Sequence, residues 1–593
     1  MTSLSSPTQA LPNAGGWRPN GTLAFLFGFL PFVVVVRFPP NAGFWGQWAL
    51  VTAVLLWLVL RPRARLRWTW GSVACVAIAL WLLVQAAMGL SPMPVALLVS
   101  VAVLGIAAWA CASAGELGST PQGDVLVTGF AWGLLAAFAL NAVAVAFELA
   151  GYEWIWIAVF KVNERERLPR AVGLIGQANH LGVLAVYAGF AALTLRSLGR
   201  MPGRLLWLAV AAAAVVCAAS ASRVALVIWV ACMALSFAWW RGRGASQGAR
   251  LRIEGVIAAV VFAVVQVAWV AHDHSRAGLE AQLTRSPDAG RVAMLHDAGL
   301  LWLHHPLIGV GQGNYAAQRL HELSSPLPAP ASDHAHNLFA HAAAEWGVVG
   351  LIIVTAAFAY ALWVLWRRLR DPARRPVELL PAAWVLGVAL HSLVEQPLWF
   401  ATFLLPFALM LGWLAQAPRR SEVAAERPVQ ASSKPQQPRW ILVGVVVIAC
   451  GVAAADFARL QVLAIKIIAE GPDTGALVNF EEIARAESLS MFPRQARVML
   501  SRKLPLGDAA ADAKIMIARQ AMDAVPSPET IARWAAFCAL GGRAAEARTL
   551  FNELAVRNAG YRTAALELLN TWATLDPRIA RLNDELVAEH GSR

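Results

Sequence analysis

The stretch SDHAHNLFAHAAAEWGVVGLIIVTAAFAYALWVLW, residues 332–366, joins a histidine-rich segment to a long apolar run. From Leu338 to Trp366 the only charged residue is Glu345. A run of that length and polarity can cross the hydrocarbon core of a bilayer, where the backbone must satisfy its own hydrogen bonds by coiling into a helix. Ser332 and Asp333 stand just ahead of it and are of the types that cap helix N-termini. Histidine changes charge near neutral pH, and its neutral ring accepts protons, so His336 at the entry of such a helix suggests base chemistry at a membrane boundary.

The same pattern fills most of the chain. Of 593 residues, 58% are hydrophobic and only 14% charged, and mean hydropathy is +0.56. A soluble domain has no means of burying so much apolar surface, which makes this an all-α, polytopic transmembrane bundle. Apolar runs predict about thirteen spanning helices, near 22–38, 46–60, 71–90, 93–112, 125–149, 172–196, 204–220, 222–240, 252–271, 338–366, 379–395, 397–416 and 440–458. The residues up to Arg18 lack the basic, apolar and small-residue sequence of a cleavable signal, so the first helix is read as an uncleaved anchor.

Arginines set the expected orientation. Arg61/Arg63/Arg65/Arg67, Arg196/Arg200/Arg204, Arg241/Arg243/Arg250/Arg252, Arg367/Arg368/Arg370/Arg374/Arg375 and Arg419/Arg420/Arg427/Lys434/Arg439 all follow even-numbered helices. Positive loops stay in the cytoplasm. The net charge of +13 is therefore topological, and no basic segment carries the interleaved aromatics that stack nucleic-acid bases. The resulting plan is a cytoplasmic tail 1–20, helices 1–9 over 21–271, an outward loop 272–337, helices 10–12 over 338–416, a cytoplasmic linker 417–439, a last helix 440–458 and an outward domain 459–593. In a bacterial inner membrane, outward is periplasmic.

Five cysteines, Cys75, Cys111, Cys217, Cys232 and Cys450, lie in or beside apolar helices, and Cys538 is alone in the tail, so neither disulfide nor zinc spacing is present. Tryptophans such as Trp68/Trp70, Trp239/Trp240 and Trp363/Trp366 fall near helix ends, as interfacial belts do. The tail is charged and helical in period over 530–540, 544–556 and 563–573. Paired amphipathic helices of this kind resemble tetratricopeptide hairpins.

Polar residues that a bilayer should exclude point to the site. Arg170 opens LPRAVGLIGQANHLG with Gln177, Asn179 and His180; Arg223 lies in SASRVAL; Arg291 precedes an amphipathic segment ending in HHPLIGVGQGNY. A single arginine at a membrane boundary is ordinarily explained by snorkelling to headgroups. Three on the side of His336 suggest forks that bind phosphate bidentately and balance the charge growing on a pyrophosphate leaving group. Asp333-His334-x-His336 could be drawn as a metal site, but the arginines would repel a cation, and no metal or other cofactor is expected. Glu345, four residues after His341, can pair with it on one helix face. Glu395, at the outward end of helix 11, reads as a group on the acceptor side.

His336-Asn337 followed after nine residues by Gly347-x-x-Gly350 resembles the signature of bacterial O-antigen ligases. The ordered set LPRAVGLIGQANHLG, SASRVAL, HHPLIGVGQGNY and SDHAHNLFAHAAAEWGVVG, over about 170–415, is similar to the superfamily of O-antigen ligases, O-antigen polymerases and protein O-oligosaccharyltransferases. The helix-6 motif, the long loop before the histidine and the helical tail most resemble the pilin-glycosylating protein transferases. That resemblance implies transfer of a preassembled glycan from undecaprenyl pyrophosphate to Ser or Thr of an exported protein such as pilin. It implies His336 as the base, and Arg170, Arg223 and Arg291 at the pyrophosphate. Gln177, Asn179, His180, Asn337 and Glu395 join the expected substrate site. Gly347 and Gly350 would let the histidine helix approach a neighbour. Near Asn41–Trp48, where such transferases often carry an acidic residue, this chain has Gln47. Rival readings are ligation to lipid A core, glycan polymerisation, and transport of an anionic lipid-linked glycan. A transporter predicts an inverted repeat, and none is evident.

Overall fold

The computed structural model describes residues 19–36, 41, 43–61, 66–91, 94–118, 120–150, 170–241, 245–272, 287–323, 332–416, 440–470 and 490–591. Most of the expected N-terminal tail, all of the linker 417–439 and part of the expected outward loop 272–337 lie outside the described residues.

The helices of the first half are α1 (Pro19–Val33), α2 (Phe44–Leu60), α3 (Trp70–Ala87), α4 (Pro94–Leu117), α5 (Pro121–Leu149), α6 (Ala178–Ser197), α7 (Gly203–Ser220), α8 (Arg223–Trp240) and α9 (Ala245–His272). Then come α10 (Pro287–His304), α11 (Tyr315–His321), α12 (Leu338–Arg370), α13 (Leu379–His391), α14 (Ala401–Ala415) and α15 (Trp440–Glu470). The C-terminal domain adds α16 (Pro493–Lys503), α17 (Ala511–Ala524), α18 (Pro528–Leu540), α19 (Ala544–Arg557), α20 (Ala559–Trp572) and α21 (Pro577–Gly591). No strand occurs among the described residues.

Nine described helices are long and apolar enough to cross a membrane, and four shorter apolar ones, Gly21–Val33, Phe44–Leu60, Pro376–His391 and Ala401–Ala415, accompany them. Each expected apolar run coincides with one of these, so the protein is a multi-pass helical membrane protein. Between lipid-facing helices, close approach depends on small residues. On α5, a Cβ at Gly133 would lie 2.1 Å from the Phe25 carbonyl oxygen of α1, so only glycine permits that crossing.

Acidic partners gather many of the basic residues at one end of the bundle. Arg368 forks onto Glu378 at 2.7 Å, Arg375 reaches Asp124 at 2.9 Å, and Arg61 and Arg196 meet Glu116 and Glu254 at 3.1 Å. The opposite end carries the loop helices α10 and α11 and the candidate site.

Element ends depart from expectation at places that matter. The sixth helix begins at Ala178 rather than 172, because 170–177 forms a turn held by Glu148, whose Oε2 accepts from the Val172 and Gly173 amides at 3.2 and 3.4 Å. Helix 11 stops at His391, leaving Glu395 in a turn, and the last spanning helix runs on to Glu470. Asn337, not Ser332 or Asp333, caps α12: its Oδ1 accepts from the Phe339 and Ala340 amides, both at 3.0 Å. Ser332 and Asp333 shape the preceding turn: Ser332 Oγ donates to His334 O (2.8 Å), and Asp333 Oδ1 accepts from His334 Nδ1 (2.8 Å).

Within α12, Gly347 is a break, with φ 64° and ψ −161°. The freed groups pair with the glycine-rich turn. Val310 and Gly311 donate to Ala344 O and Glu345 O, each at 2.9 Å, and Val348 donates to Pro306 O at 2.8 Å. The expected close approach is thus to a turn, not to a neighbouring helix. Gly350 makes room for Trp346 of its own helix.

The C-terminal helices surround a core that includes Ile531, Trp534, Phe537, Phe551, Leu554 and Leu569. Leu320 of α11 inserts into that core. Next to it His321 Nε2 lies 2.6 Å from Asp523 Oδ1. The tail domain is therefore docked on the segment that leads into the site.

Candidate active site

Three short turns at one end of the bundle bring the site together. The first, 170–177, pins Arg170: its amide neighbour Ala171 donates to Ala219 O at 2.9 Å, and Arg170 Nε donates to Ser220 O at 2.8 Å. In the second, Ala221 adopts a left-handed backbone (φ 46°) and Ser222 caps α8, which turns the chain sharply and places Arg223 as the first residue of that helix. In the third, 392–396, a polar turn between α13 and α14 presents Glu395.

Glu395 is the hub. Its Oε1 accepts from Asn179 Nδ2 at 3.0 Å and from Arg291 Nη2 at 3.4 Å, and its Oε2 lies 3.2 Å from His336 Nδ1. Asn179 in turn accepts from Arg170 Nη2 at 2.7 Å. One carboxylate thus ties together helix α6, helix α10 and the loop before α12. Burial pushes the Glu395 carboxyl up, but the hydrogen bond from His336, the charges that His336 and His391 carry when protonated, and the charge of Arg291 outweigh it and hold it below its ordinary value. It stays ionised at neutral pH. Burial lowers Arg170, Glu395 opposes that, and the charges of Arg223 and Arg291 lower it further. The three guanidinium groups are close enough to repel one another, which makes the pocket a place for an anion.

His336 itself has a strained backbone, φ 51°, a region that costs a non-glycine residue of order 1–3 kcal/mol. The strain is imposed by its neighbours: Asn337 caps α12 and donates to Leu393 O at 2.9 Å, while Leu338 donates to Ser392 O at 2.9 Å. The ring is partly exposed and anchored through one nitrogen. With Nδ1–H on Glu395, Nε2 carries the lone pair, the arrangement that suits a proton acceptor.

Of the residues expected at the site, His336, Arg170, Arg291, Asn179 and Glu395 meet in one network. Arg223 stands close enough for its charge to reach Arg170. Gln177 and Asn337 act as helix caps, Gln177 Oε1 accepting from the His180 amide at 2.7 Å. The His180 ring lies against Phe403 and Phe400 at 4.9 and 5.3 Å, behind the charged cluster. Gln47 accepts from the Ala401 amide at 3.0 Å and so fixes the start of α14.

His334 and His336 diverge. His334 stacks on His341 at 4.5 Å, and His341 Nε2 lies 3.3 Å from Glu345, a fully buried pair whose carboxylate also accepts from the Gly313 and Tyr315 amides. This second network holds the glycine-rich turn. Among the described residues no group of three His, Cys, Asp or Glu side chains is placed to hold a metal. Sequence reasoning missed His391. It is fully buried one turn before Glu395, neither ring nitrogen has a hydrogen-bond partner among the described residues, and its ring lies 6.0 Å from that of His180. The four-residue spacing His391–Glu395 was the available signal.

Beside the cluster an apolar cavity of about 320 Å³ runs between α3, α4, α12, α13 and α14. Leu338, Ser392 and Trp399 line it together with Ile78, Val103, Phe358 and Leu411.

The family model of the O-antigen ligases matches residues 208–355, which contain Arg223, Arg291 and His336. A second model, virulence factor membrane-bound polymerase, C-terminal, matches residues 379–565, which contain Glu395. The two matches support the O-antigen ligase and polymerase superfamily. Those matches indicate membrane glycosyl transfer of the O-antigen ligase or polymerase type, with a lipid-linked oligosaccharide as the substrate class. The hub at Glu395 joins residues from both matched regions to Arg170 and Asn179, which lie outside them. No curated protein matches the chain.

Proposed function

We propose that this protein is an inner-membrane oligosaccharyltransferase with its site on the periplasmic side, moving a preassembled glycan from undecaprenyl pyrophosphate to Ser or Thr of an exported protein. The observation that carries the reading is the convergence of His336 and Arg291 on Glu395, with Arg170 joined through Asn179.

The acceptor hydroxyl gives its proton to His336 Nε2 as its oxygen attacks the anomeric carbon. The bond from that carbon to the phosphate oxygen breaks, and its electron pair leaves on the pyrophosphate. Attack opposite the leaving group inverts the anomeric configuration. Arg170, Arg223 and Arg291 balance the negative charge that grows on the leaving group, so no divalent ion is required for that step. Glu395 holds the imidazole in the accepting tautomer and stabilises the imidazolium that forms. The apolar cavity beside Leu338 and Ser392 gives a polyprenyl chain a place next to the charged cluster.

A second reading, ligation to lipid A core or glycan polymerisation, is favoured by the descriptions of the two matched families. It uses the same chemistry with a different nucleophile. The deciding experiment compares exported proteins by mass spectrometry, and lipopolysaccharide by gel, from cells with and without the gene. Glycan appearing on protein supports the proposal; glycan appearing only on lipid or as longer chains replaces it with the second reading.

A further inference from the structure

Helix α10 has two faces, and only one of them is used by the protein. Ala293, Met294, Asp297, Ala298 and Leu301 are buried against α11 and α12, with Asp297 fixed by Arg319 at 2.7 Å. On the other side Val292, Leu295, Gly299, Trp302 and Leu303 follow one another at helical spacing, joined by Leu307 just beyond the helix. Leu303 and Leu307 are 70% and 67% exposed. A stripe of this kind on a helix that is not among those apolar enough to cross a membrane needs a covering surface.

Its level in the molecule identifies that surface. The turn after α10 is bonded to the outward end of α3: Gln85 Nε2 donates to Ile308 O and Asn314 Nδ2 donates to Leu90 O, both at 2.8 Å. Near that end Leu80 and Val84 of α3 and Met88 at its C-cap are also exposed. Along α12, Val348 is bonded to Pro306. The stretch from Val348 to the basic turn at Arg367 measures about 30 Å at about 1.5 Å per residue, the thickness of a hydrocarbon core. Pro306 and Leu307 therefore lie at the outer edge of that core.

We propose that α10 lies on the bilayer, its Val292, Leu295, Trp302, Leu303 and Leu307 face sunk into the outer-leaflet interface. This is the geometry of interfacial amphipathic helices, and Trp302 is of the type enriched at that depth. Arg291 stands at the edge of the stripe, so membrane contact fixes it at headgroup level while it reaches Glu395. The inference does not depend on the transferase reading.

Spin labels on Leu303→Cys and Leu307→Cys in proteoliposomes test it, by collision with oxygen, which partitions into lipid, and with a water-soluble nickel chelate. Ile352→Cys, 62% exposed on a spanning helix, is the lipid reference, and Met516→Cys, 56% exposed in the C-terminal domain, is the water reference. The unmutated chain supplies the background, since the described native cysteines are buried or half-buried. The expected oxygen-to-nickel ratio at both positions is severalfold above that of Met516→Cys and close to that of Ile352→Cys. A ratio like that of Met516→Cys overturns the proposal, as does an immobile label shielded from both reagents, which would mean a protein partner.

Discussion

At the scale of single residues the decisive contrast is between types that are improbable in place and roles that depend on tertiary contact. His336 and the arginines were legible because a bilayer edge makes such groups expensive unless something uses them. The part of Glu395 was not, because no spacing in the chain brings 179, 291, 336 and 395 together; only folding does. Two tests follow from the hub. Replacing His336 by Ala should leave membrane levels near normal and lower transfer by about 10²–10⁴-fold, the usual contribution of a positioned base; wild-type transfer by a well-expressed variant would remove the base assignment. Glu395→Gln concerns pH as well as rate. Its folded value lies below the unfolded one, so the ionised carboxylate adds stability that is complete above about pH 4.3 and lost as pH falls through the folded value. Thermal unfolding in detergent should show wild type above Glu395→Gln by a constant margin at neutral pH, and the margin should shrink in acid. A margin that grows toward acid would mean the carboxylate is not held by positive partners.

Elements were legible where a run of apolar residues decides them, and illegible where a backbone break does. Every expected spanning run is a helix, yet the ends at Ala178 and His391 follow from the Gln177 cap and the 392–396 turn, which composition does not reveal. Gly347 was read as a point of contact because its spacing to Gly350 suits helix packing, but its positive φ makes it the point where α12 opens to accept the 306–311 turn. A Cβ there would lie 2.3 Å from the Leu307 carbonyl oxygen. Gly347→Ala should therefore destabilise by about 1–3 kcal/mol or more, read as a lower unfolding temperature together with a loss of transfer, since the displaced turn carries the segment between Arg291 and His336. Gly350→Ala, which meets only the Trp346 side chain, should cost less. Equal tolerance of both changes would show that the break is not needed.

For the whole molecule, charge sorts the two ends. Arg61, Arg196, Arg368 and Arg375 meet their acids at one end, and Arg170, Arg291, His336 and Glu395 meet at the other, in line with the parity of the loops in which the sequence places them. That agreement is physical: when positive loops are held on one side during insertion, they fix which turns can share a compartment. The tail domain adds a constraint that sequence alone lacked, because Leu320 sits in its core and His321 meets Asp523, so it must lie on the same side as the site. Fusions can check both statements together. A phosphatase active only in the periplasm, fused after Gly542, should be active, whereas the same enzyme fused after Arg370 should be silent and a fluorescent reporter fused there should fold. Inactive phosphatase after Gly542 would put the docked domain, and with it the Glu395 cluster, on the cytoplasmic side, where the lipid-linked glycan would have to be used before it is flipped.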